Sequence, residues 1–307
     1  MIHNTDSIGT LYIVATPIGN LGDITLRALE TLKIVDAVLC EDTRVTGKLL
    51  ARYEIQKSMV SCHEHTDDAK LAHIVERLKN GESLAFASDA GTPGLSDPGN
   101  KLVSLALASE IPVVPIPGVS ALATIVSVAG IDMREFVFLG FPPHKKGRET
   151  FFKKVAVTEY PVMYYESPHR VIKNLDLLES LLKNSPPIIK NPLVGSDSGI
   201  PAAKPGSSLG IIPIVPRSSW PFRSEFRNRE PDMNFSTDSE TFPPERKVII
   251  GRELTKMFEE VLRGSIEDMR NYFIANPGKQ KGEFVVVIYP VKSSQSEVST
   301  SVNNFIG

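Results

Sequence analysis

Cysteine and tryptophan are scarce in this chain of 307 residues, which contains two Cys and one Trp. Cys40 and Cys62 are too few to form the disulfide framework of a small secreted domain, and they fit free thiols in a reducing compartment. The first ten residues also lack the basic segment and apolar core of a signal peptide. A cytoplasmic location is therefore expected.

Long apolar runs and a strong excess of charge of one sign are also missing. Residues 111–131 carry no charge, but Pro112, Pro115, Pro117 and Gly118 interrupt them. The apolar remainder is shorter than the roughly 20 residues that a membrane-spanning helix needs, so no membrane partner is predicted. Because the formal net charge is only −2, a nucleic-acid partner would have to be held by a local basic patch.

Short apolar runs alternate with stretches of helical spacing through the first 140 residues. Strands are expected at residues 11–15, 37–40, 84–88, 113–116 and 136–141. Helices are expected at residues 24–34 with Asp23 as N-cap, from residue 43 onward, and at 69–78, 101–109 and 118–130. This alternation predicts an α/β domain over residues 1–141, with a mostly parallel sheet covered on both faces.

A second α/β domain is expected over residues 142–290, after a Pro-Pro linker. Its strands are predicted at residues 162–165, 247–250 and 284–288, and its helices at 168–182, 254–262 and 266–275. Residues 186–244 contain eleven of the 23 prolines and little periodicity. Proline at that density stops helices, so an irregular or disordered insertion is predicted there. The Ser-rich tail, residues 291–307, is predicted to fray.

Three Gly-rich loops, at residues 16–23, 88–99 and 115–121, each leave a predicted strand and enter a helix. Glycine lets the backbone approach a ligand closely, and a helix N-terminus offers free N–H groups. One such loop by itself is an ordinary turn. Because the carboxyl ends of parallel strands meet at one edge of a sheet, three loops together predict a single ligand crevice. The spacing of residues 94–99 excludes a G-x-S-x-G nucleophile elbow.

Polar clusters elsewhere allow both functional and purely structural interpretations. The His63-Glu64-His65 segment raises the question of a metal, but no Cys or carboxylate cluster completes a ligand set, so no metal is predicted. Glutamate, histidine and arginine gather in residues 164–170 where a crevice floor is expected. Basic residues follow the linker and suit phosphate contacts, although a solvated helix face is the commoner use of such a cluster. They are Lys145, Lys146, Arg148, Lys153 and Lys154.

Taken together, these stretches resemble the ribosomal RNA small subunit methyltransferase I family of the tetrapyrrole-methylase superfamily. The matching stretches, in family order, are TPIGNLGDITLRAL, EDTR, HEH, SDAGTPGLSDPG, PIPGVSA, YYESPHR, RELTK and KGE. They span nearly the whole chain except residues 186–244, for which the family pattern has no counterpart, and the tail. The resemblance implies a two-domain class III methyltransferase that uses S-adenosylmethionine, folds its cofactor into the cleft between the domains and forms a homodimer.

The resemblance also implies a reaction, which is methylation of the 2'-hydroxyl of a decoding-centre cytidine in 16S rRNA, free or in the assembled small subunit. It places a set of residues in the cofactor pocket: Pro17, Ile18, Gly19, Asp89, Ala90, Gly91, Thr92, Pro117, Gly118, Ser120 and Tyr165. Candidates for the base that takes the hydroxyl proton are Glu166, His169 and Asp42, and the residue pattern does not choose among them. Candidates for RNA contacts are Lys145, Lys146, Arg148, Arg252 and Lys256.

Two other functions remain open at this point. One is C-methylation of a corrin or sirohaem precursor within the same superfamily, whose members open with a Gly-Pro-Gly loop where this chain has TPIGNLGD. The other is an RNA-binding module that keeps the fold without turnover, which intact cofactor loops disfavour.

Overall fold

A parallel sheet of short strands forms the first half of the chain. The structure is a computed structural model that describes residues 8–96, 99–168, 170–184 and 246–290. The strands are β1 (Leu11–Val14), β2 (Ala37–Cys40), β3 (Ser58–Ser61), β4 (Leu84–Ala87) and β5 (Val113–Ile116). They lie in the order β3-β2-β4-β1-β5, and every neighbouring pair is parallel.

Helices cover both faces of this sheet because the side chains of its central strands alternate between two apolar clusters. Leu39 and Phe86 point to one face, and Val38 and Ala85 point to the other. The helices are α1 (Leu26–Ile34), α2 (Thr43–Arg52), α3 (Asp68–Lys79), α4 (Asn100–Ala108) and α5 (Ala121–Ala129). Residues of α3 and α4 pack on the Phe86 face, and residues of α1 and α2 pack on the opposite face.

A mixed sheet forms the second half, in the order β6-β7-β10-β8-β9. Its strands are β6 (Val137–Phe138), β7 (Val162–Glu166), β8 (Lys247–Arg252), β9 (Glu260–Ser265) and β10 (Phe284–Ile288). Only β6 and β7 pair in parallel; the other pairs are antiparallel. One face carries α6 (Arg148–Val157), α7 (Val171–Asn184) and α8 (Ile266–Ala275), which bury side chains such as Phe152, Leu175 and Phe273.

Helix α5 joins the two sheets. Its Ile125 and Ala129 are buried in one cluster with Met163, Ile249 and Val285 of the second sheet. Both sheets accordingly belong to one compact unit. Within the described ranges, no helix is long and apolar enough to cross a membrane.

The structure corrects three predicted elements. Thr25, and not Asp23, caps α1, because its side chain accepts a hydrogen bond from Ala28 N at 3.1 Å. The strand predicted at residues 136–141 shortens to β6 and pairs with β7, so it belongs to the second sheet. Residues 254–262 form a loop and the start of β9 where a helix was predicted.

Three elements, β3, β9 and α6, were missed by the sequence analysis, and three predictions concern residues outside the described ranges. Half-exposed β3 lies at the edge of its sheet, so its sequence SMVS lacks a continuous apolar signal. The interpretations of His169, of the insertion at residues 186–244 and of the tail at residues 291–307 fall on residues that the structure does not describe.

Candidate active site

The three Gly-rich loops meet at the carboxyl ends of β4, β1 and β5. Thr16 and Gly91 exchange two backbone hydrogen bonds, with N···O distances of 2.9 and 3.0 Å. Thr92 Oγ1 donates to the carbonyl oxygen of Val119 at 3.2 Å, which joins the loop after β4 to the loop after β5. The loops converge because β1 lies between β4 and β5 in the sheet, so their ends share one edge.

A cavity of about 250 Å³, here called the cofactor cavity, lies between this edge and the second sheet. Its first-sheet side includes the loop residues Ile18, Ala90, Gly91, Thr92, Leu95, Ser120 and Ala121. Its second-sheet side includes Phe141, Tyr165, Glu166, Ser167, Pro168, Gly251, Leu254, Glu283, Phe284 and Val285. The lining combines apolar side chains, three aromatic rings and two carboxylates, which suits an organic ligand that carries positive charge.

Glu166 is the buried carboxylate of this cavity, with an exposed fraction of 2%. Ser167 N donates to its Oε1 at 2.8 Å, and the Asn174 side-chain amide donates to its Oε2. Burial nevertheless raises the pKa of the Glu166 carboxyl, because desolvation penalises the ion more than these hydrogen bonds and nearby Arg170 stabilise it. A carboxylate of raised pKa is a better proton acceptor than an ordinary surface glutamate.

Asp42, the second candidate base, is held very differently. Its carboxylate accepts the backbone N–H of Arg44 at 2.8 Å and the Arg44 guanidinium at 2.6 Å. These hydrogen bonds lower the pKa of the Asp42 carboxyl to about 2. The side chain acts as the N-cap of α2, so its local role is structural, and it is a weak base near neutral pH.

Six of the residues predicted for the cofactor pocket line the cofactor cavity: Ile18, Ala90, Gly91, Thr92, Ser120 and Tyr165. The other five, Pro17, Gly19, Asp89, Pro117 and Gly118, lie in the same loops but do not line it. Asp89 is turned toward β2, where its Oδ1 accepts a hydrogen bond from Asp42 N at 3.0 Å. Asp89 therefore fastens the loop after β4 to the loop after β2.

Two glycines keep the cavity's loops close together. Gly91 has a φ of +83°, and a Cβ there would lie 3.4 Å from Ile18 Cγ2. A Cβ at Gly118 would lie 3.0 Å from the Ala15 Cβ, which is tighter than ordinary packing. The conformation and the close approach are thus available to glycine in particular.

Sequence reasoning predicted Tyr165 and Glu166 of β7 but missed the part of the wall that comes from β8 and β10. Gly251 precedes the RELTK stretch, Leu254 lies within it, and Glu283 ends the KGE stretch. The RELTK stretch was predicted to contact RNA through Arg252 and Lys256, and neither stretch was predicted to line the cofactor pocket. Their contribution depends on β8 and β10 being neighbours in the second sheet, and that pairing has no local sequence signal.

The predicted RNA-contacting residues fall into two groups. Lys145 and Lys146 are exposed, and neither makes an ion pair with any described residue; Arg148 is half-buried at the start of α6. The neighbouring His144 Nε2 lies 3.5 Å from Arg170 Nη2, and Arg170 also donates to the Ser167 hydroxyl in the cavity wall. The basic segment at residues 144–148 therefore lies beside the cavity.

Arg252 and Lys256 form the other group, and both are engaged within the protein. Arg252 is 8% exposed and donates to the carbonyl oxygens of Lys279 and Lys281 at 2.9 and 3.1 Å. Lys256 is half-buried and forms ion pairs with Glu253 at 3.2 Å and Glu283 at 3.1 Å. These contacts leave the two side chains little capacity for phosphate, so we do not include them in the RNA surface proposed below.

Among the residues that the structure describes, no group of three or more His, Cys, Asp and Glu side chains is arranged to hold a metal ion. His63 and His65 make an edge-on ring contact at 6.4 Å. Cys40 and Cys62 are buried free thiols, and burial raises the pKa of each.

Comparison with known proteins defines the class. The family model described as Tetrapyrrole (Corrin/Porphyrin) Methylases matches residues 10–190. A uroporphyrin-III-C-methyltransferase from Thermus thermophilus superposes with a TM-score of 0.51 at 16% identity, over 91% of this chain and 94% of that one. A diphthine synthase superposes with a TM-score of 0.57 at 11% identity, over 92% and 90%. The fold is that of the tetrapyrrole methylases, which confirms the predicted fold class.

Relatives of similar sequence identify the family within this class. Ribosomal RNA small subunit methyltransferase I of Neisseria meningitidis serogroup B is 35% identical over 98% of this chain and 84% of that protein. The protein of that name from Borrelia garinii subsp. bavariensis is 37% identical over 91% and 97%. The one from Leptospira biflexa is 34% identical over 96% and 97%. The chain belongs to the ribosomal RNA small subunit methyltransferase I family, as its motifs predicted, and is a methyltransferase.

Proposed function

We propose that this protein transfers a methyl group from S-adenosylmethionine to the 2'-hydroxyl of a decoding-centre cytidine in 16S rRNA. The observation that carries the proposal is the convergence of three Gly-rich loops and a buried glutamate on one cavity. The names of relatives at 34–37% identity support ribosomal RNA as the substrate class. The position on the ribose follows from the sequence resemblance.

The cofactor cavity fits S-adenosylmethionine in its chemistry. The ligand carries a sulfonium and an ammonium group, and Glu283 supplies a carboxylate at the wall. The rings of Tyr165 and Phe141, whose centroids are 5.2 Å apart, offer a surface for the adenine. The backbone of Ala90, Gly91 and Thr92 supplies polar groups at the sheet edge. When bound, the sulfonium supplies an activated methyl group, so alignment of the acceptor oxygen contributes much of the rate.

Glu166 is our choice for the residue that accepts the hydroxyl proton. It lines the cofactor cavity, it is buried, and its carboxyl has a raised pKa. The Ser167 and Asn174 hydrogen bonds hold the carboxylate in one orientation, as positioning of a general base requires.

Lys145 and Lys146 are our choice for phosphate contacts, with Arg148 beside them. Their ammonium groups are exposed and not engaged by described acidic residues, and the segment approaches the cavity wall through His144 and Arg170. RNA bound along this segment would bring a ribose near the cofactor cavity. The proposal also includes a homodimer, as the resemblance implies, and light scattering of the purified protein tests that part.

The deciding experiment is transfer of labelled methyl from S-adenosylmethionine to small ribosomal subunits that lack this modification, with the labelled nucleotide mapped. Free 16S rRNA is assayed in parallel. We expect label on the ribose of a single decoding-centre cytidine. Tight binding of S-adenosylhomocysteine without transfer to either RNA would contradict the proposal, and transfer to a tetrapyrrole precursor would replace it. Absence of cofactor binding would favour a bare RNA-binding module.

A further inference from the structure

The carboxyl edge of the parallel sheet carries two cavities, one on each side of β4. The cofactor cavity takes its loop residues from the ends of β4, β1 and β5. The second cavity, of about 490 Å³, takes its residues from the ends of β3, β2 and β4 and from the start of α4. Since β4 is common to both, the loop after it separates them, with Leu95 lining one cavity and its neighbours Gly94 and Ser96 lining the other.

The second cavity is polar, and hydrogen bonds hold the loops that form its rim. Its lining includes Glu41, His63, Glu64, Thr66, Asn100 and Lys101. Buried Thr66 fixes the His-Glu-His loop, because its hydroxyl accepts from His63 N at 2.8 Å and its N–H donates to His63 O at 2.9 Å. The Asp89 bond to Asp42 N fastens the other rim, next to Glu41.

Glu41 is a half-buried carboxylate of this cavity that has no hydrogen-bond donor among the described residues. Burial, followed by the nearby carboxylates of Asp89 and Glu64, raises the pKa of Glu41. A partly desolvated carboxylate without a donor is a position where a ligand N–H group adds a strong hydrogen bond.

The charge of the cavity decides which part of a nucleotide it suits. Glu41 and Glu64 both line it, whereas Lys101 is already paired with Asp68. A phosphate would meet the carboxylates of Glu41 and Glu64, so the sugar-phosphate backbone is disfavoured at this position. A neutral base with an exocyclic amine would place a donor against Glu41, the pairing by which carboxylates read cytosine N4. Uracil presents an acceptor oxygen at the same place.

We propose that the second cavity holds the base of the target nucleotide, turned out of its RNA, and that Glu41 selects cytosine by accepting its amino group. The proposal rests on the proposed function, because the base must belong to the ribose that is methylated. The two cavities then divide the reaction along one sheet edge: the methyl donor lies on the β1 side of β4, and the acceptor nucleoside lies on the β2 side. Single-stranded bases turned out of the helix are commonly read by their edges in this way.

The test compares methyl transfer to small subunits that carry cytidine or uridine at the mapped target position. We expect the wild-type protein to prefer cytidine about tenfold or more, within the range that one base-edge contact provides. In Glu41→Gln the side-chain amide both donates and accepts, so we expect the preference to fall to within about threefold. Glu30→Gln, an exposed change on α1, should keep the wild-type preference.

The affinity for S-adenosylhomocysteine distinguishes a loss of base recognition from damage to the cofactor cavity. It should be unchanged in Glu41→Gln, because Glu41 does not line the cofactor cavity. A variant that slows both substrates equally while keeping the cytidine preference would overturn base recognition by Glu41. Equal use of cytidine and uridine by the wild type would overturn it as well. If the wild type labels neither subunit, the proposed function itself fails.

Discussion

At the scale of single residues, Glu166 is a buried carboxyl group whose pKa is raised. Replacing it with an uncharged residue is therefore expected to have opposite effects on the transfer rate and on stability. Glu166→Gln keeps an acceptor for Asn174 but removes the basic oxygen. We expect the transfer rate at saturating cofactor to fall about 100-fold, the lower end for a lost general base. Affinity for S-adenosylhomocysteine should stay within about threefold. Steady-state kinetics and calorimetric titration measure the two, and a parallel loss of both would assign Glu166 to cofactor binding.

The same variant should be no less stable than the wild type at neutral pH. The pKa of the Glu166 carboxyl is raised in the folded protein, so the folded state binds the proton more tightly than the unfolded chain. This contribution to the free energy of unfolding is greatest at low pH and is lost as pH rises from about 4.3, the unfolded value, through the raised folded pKa. Urea denaturation at pH 5 and pH 8 measures this contribution. The free energy of unfolding should fall less between these two pH values in Glu166→Gln than in the wild type.

Gly118 tests whether close packing of the loops maintains the cofactor cavity. In Gly118→Ala the new methyl group would lie 3.0 Å from the Ala15 Cβ, so the loop after β5 must move away from β1. We expect overpacking to cost about 1–3 kcal/mol of stability and cofactor affinity to fall roughly tenfold. Gly278→Ala is the matched control, because nothing lies within 4 Å of its added Cβ. Equal affinities for the two variants would contradict this account.

At the scale of elements, Arg246 connects the start of β8 to the end of α6. Its guanidinium is buried and donates to the carbonyl oxygens of Val155 and Ala156 at 2.9 and 2.7 Å. These are carbonyls of the last helical turn, which have no partner within a helix. Burial also lowers the pKa of Arg246 to about 10.

Removing this contact should weaken the second half of the chain. We expect Arg246→Met to lower the free energy of unfolding by about 2 kcal/mol, because two charge-assisted hydrogen bonds are lost and two buried carbonyls remain. Arg134→Met is the control, since Arg134 is exposed and, among the described residues, pairs only with nearby Asp132. Denaturant titration distinguishes them, and equal stability of the two variants would refute the capping role.

The elements also show where sequence reasoning succeeds and where it stops. Strands such as β2, β5 and β10 were predicted to the residue because short apolar runs lie between clear turn signals. The helix predicted at residues 254–262 was wrong, although the apolar residues there have helical spacing: Leu254, Met257, Phe258 and Val261. In the structure Met257 is 89% exposed, and β9 pairs with β8 over six residues. Antiparallel pairing with a distant strand overrode the local pattern.

The candidate site likewise has one part that the sequence could predict and another that it could not. The loops after β1, β4 and β5 were predictable, because each has a glycine-rich signature and parallel strands bring their ends together. The wall from β8 and β10 and the second cavity were not predictable. Glu41 directly precedes Asp42, the N-cap of α2, where an acid favours the helix start, and its position in a cavity depends on the order β3-β2-β4.

At the scale of the whole molecule, the net charge of −2 places a requirement on RNA binding. The attraction has to be local, and residues 144–148 supply it in our proposal. Lys145→Glu with Lys146→Glu should weaken RNA binding at every sequence and reduce the slope of log affinity against log salt by about 2. Lys33→Glu with Lys48→Glu, exposed changes on α1 and α2, makes the same change in net charge. Equal salt slopes for the two double variants would place the RNA elsewhere.

The loop after β4 has three residues of positive φ within six positions, Gly91, Gly94 and Ser96, and it borders both cavities. A ligand on either side restrains the same short backbone, so the second ligand meets a loop whose ordering entropy has already been lost. We expect S-adenosylhomocysteine to tighten RNA binding about fivefold or more, and reciprocity requires RNA to tighten S-adenosylhomocysteine binding by the same factor, which equilibrium titrations in both orders measure. If the second cavity binds the acceptor as proposed, the shared loop makes donor and acceptor binding mutually dependent, and we expect the enzyme to be found mostly either empty or fully loaded.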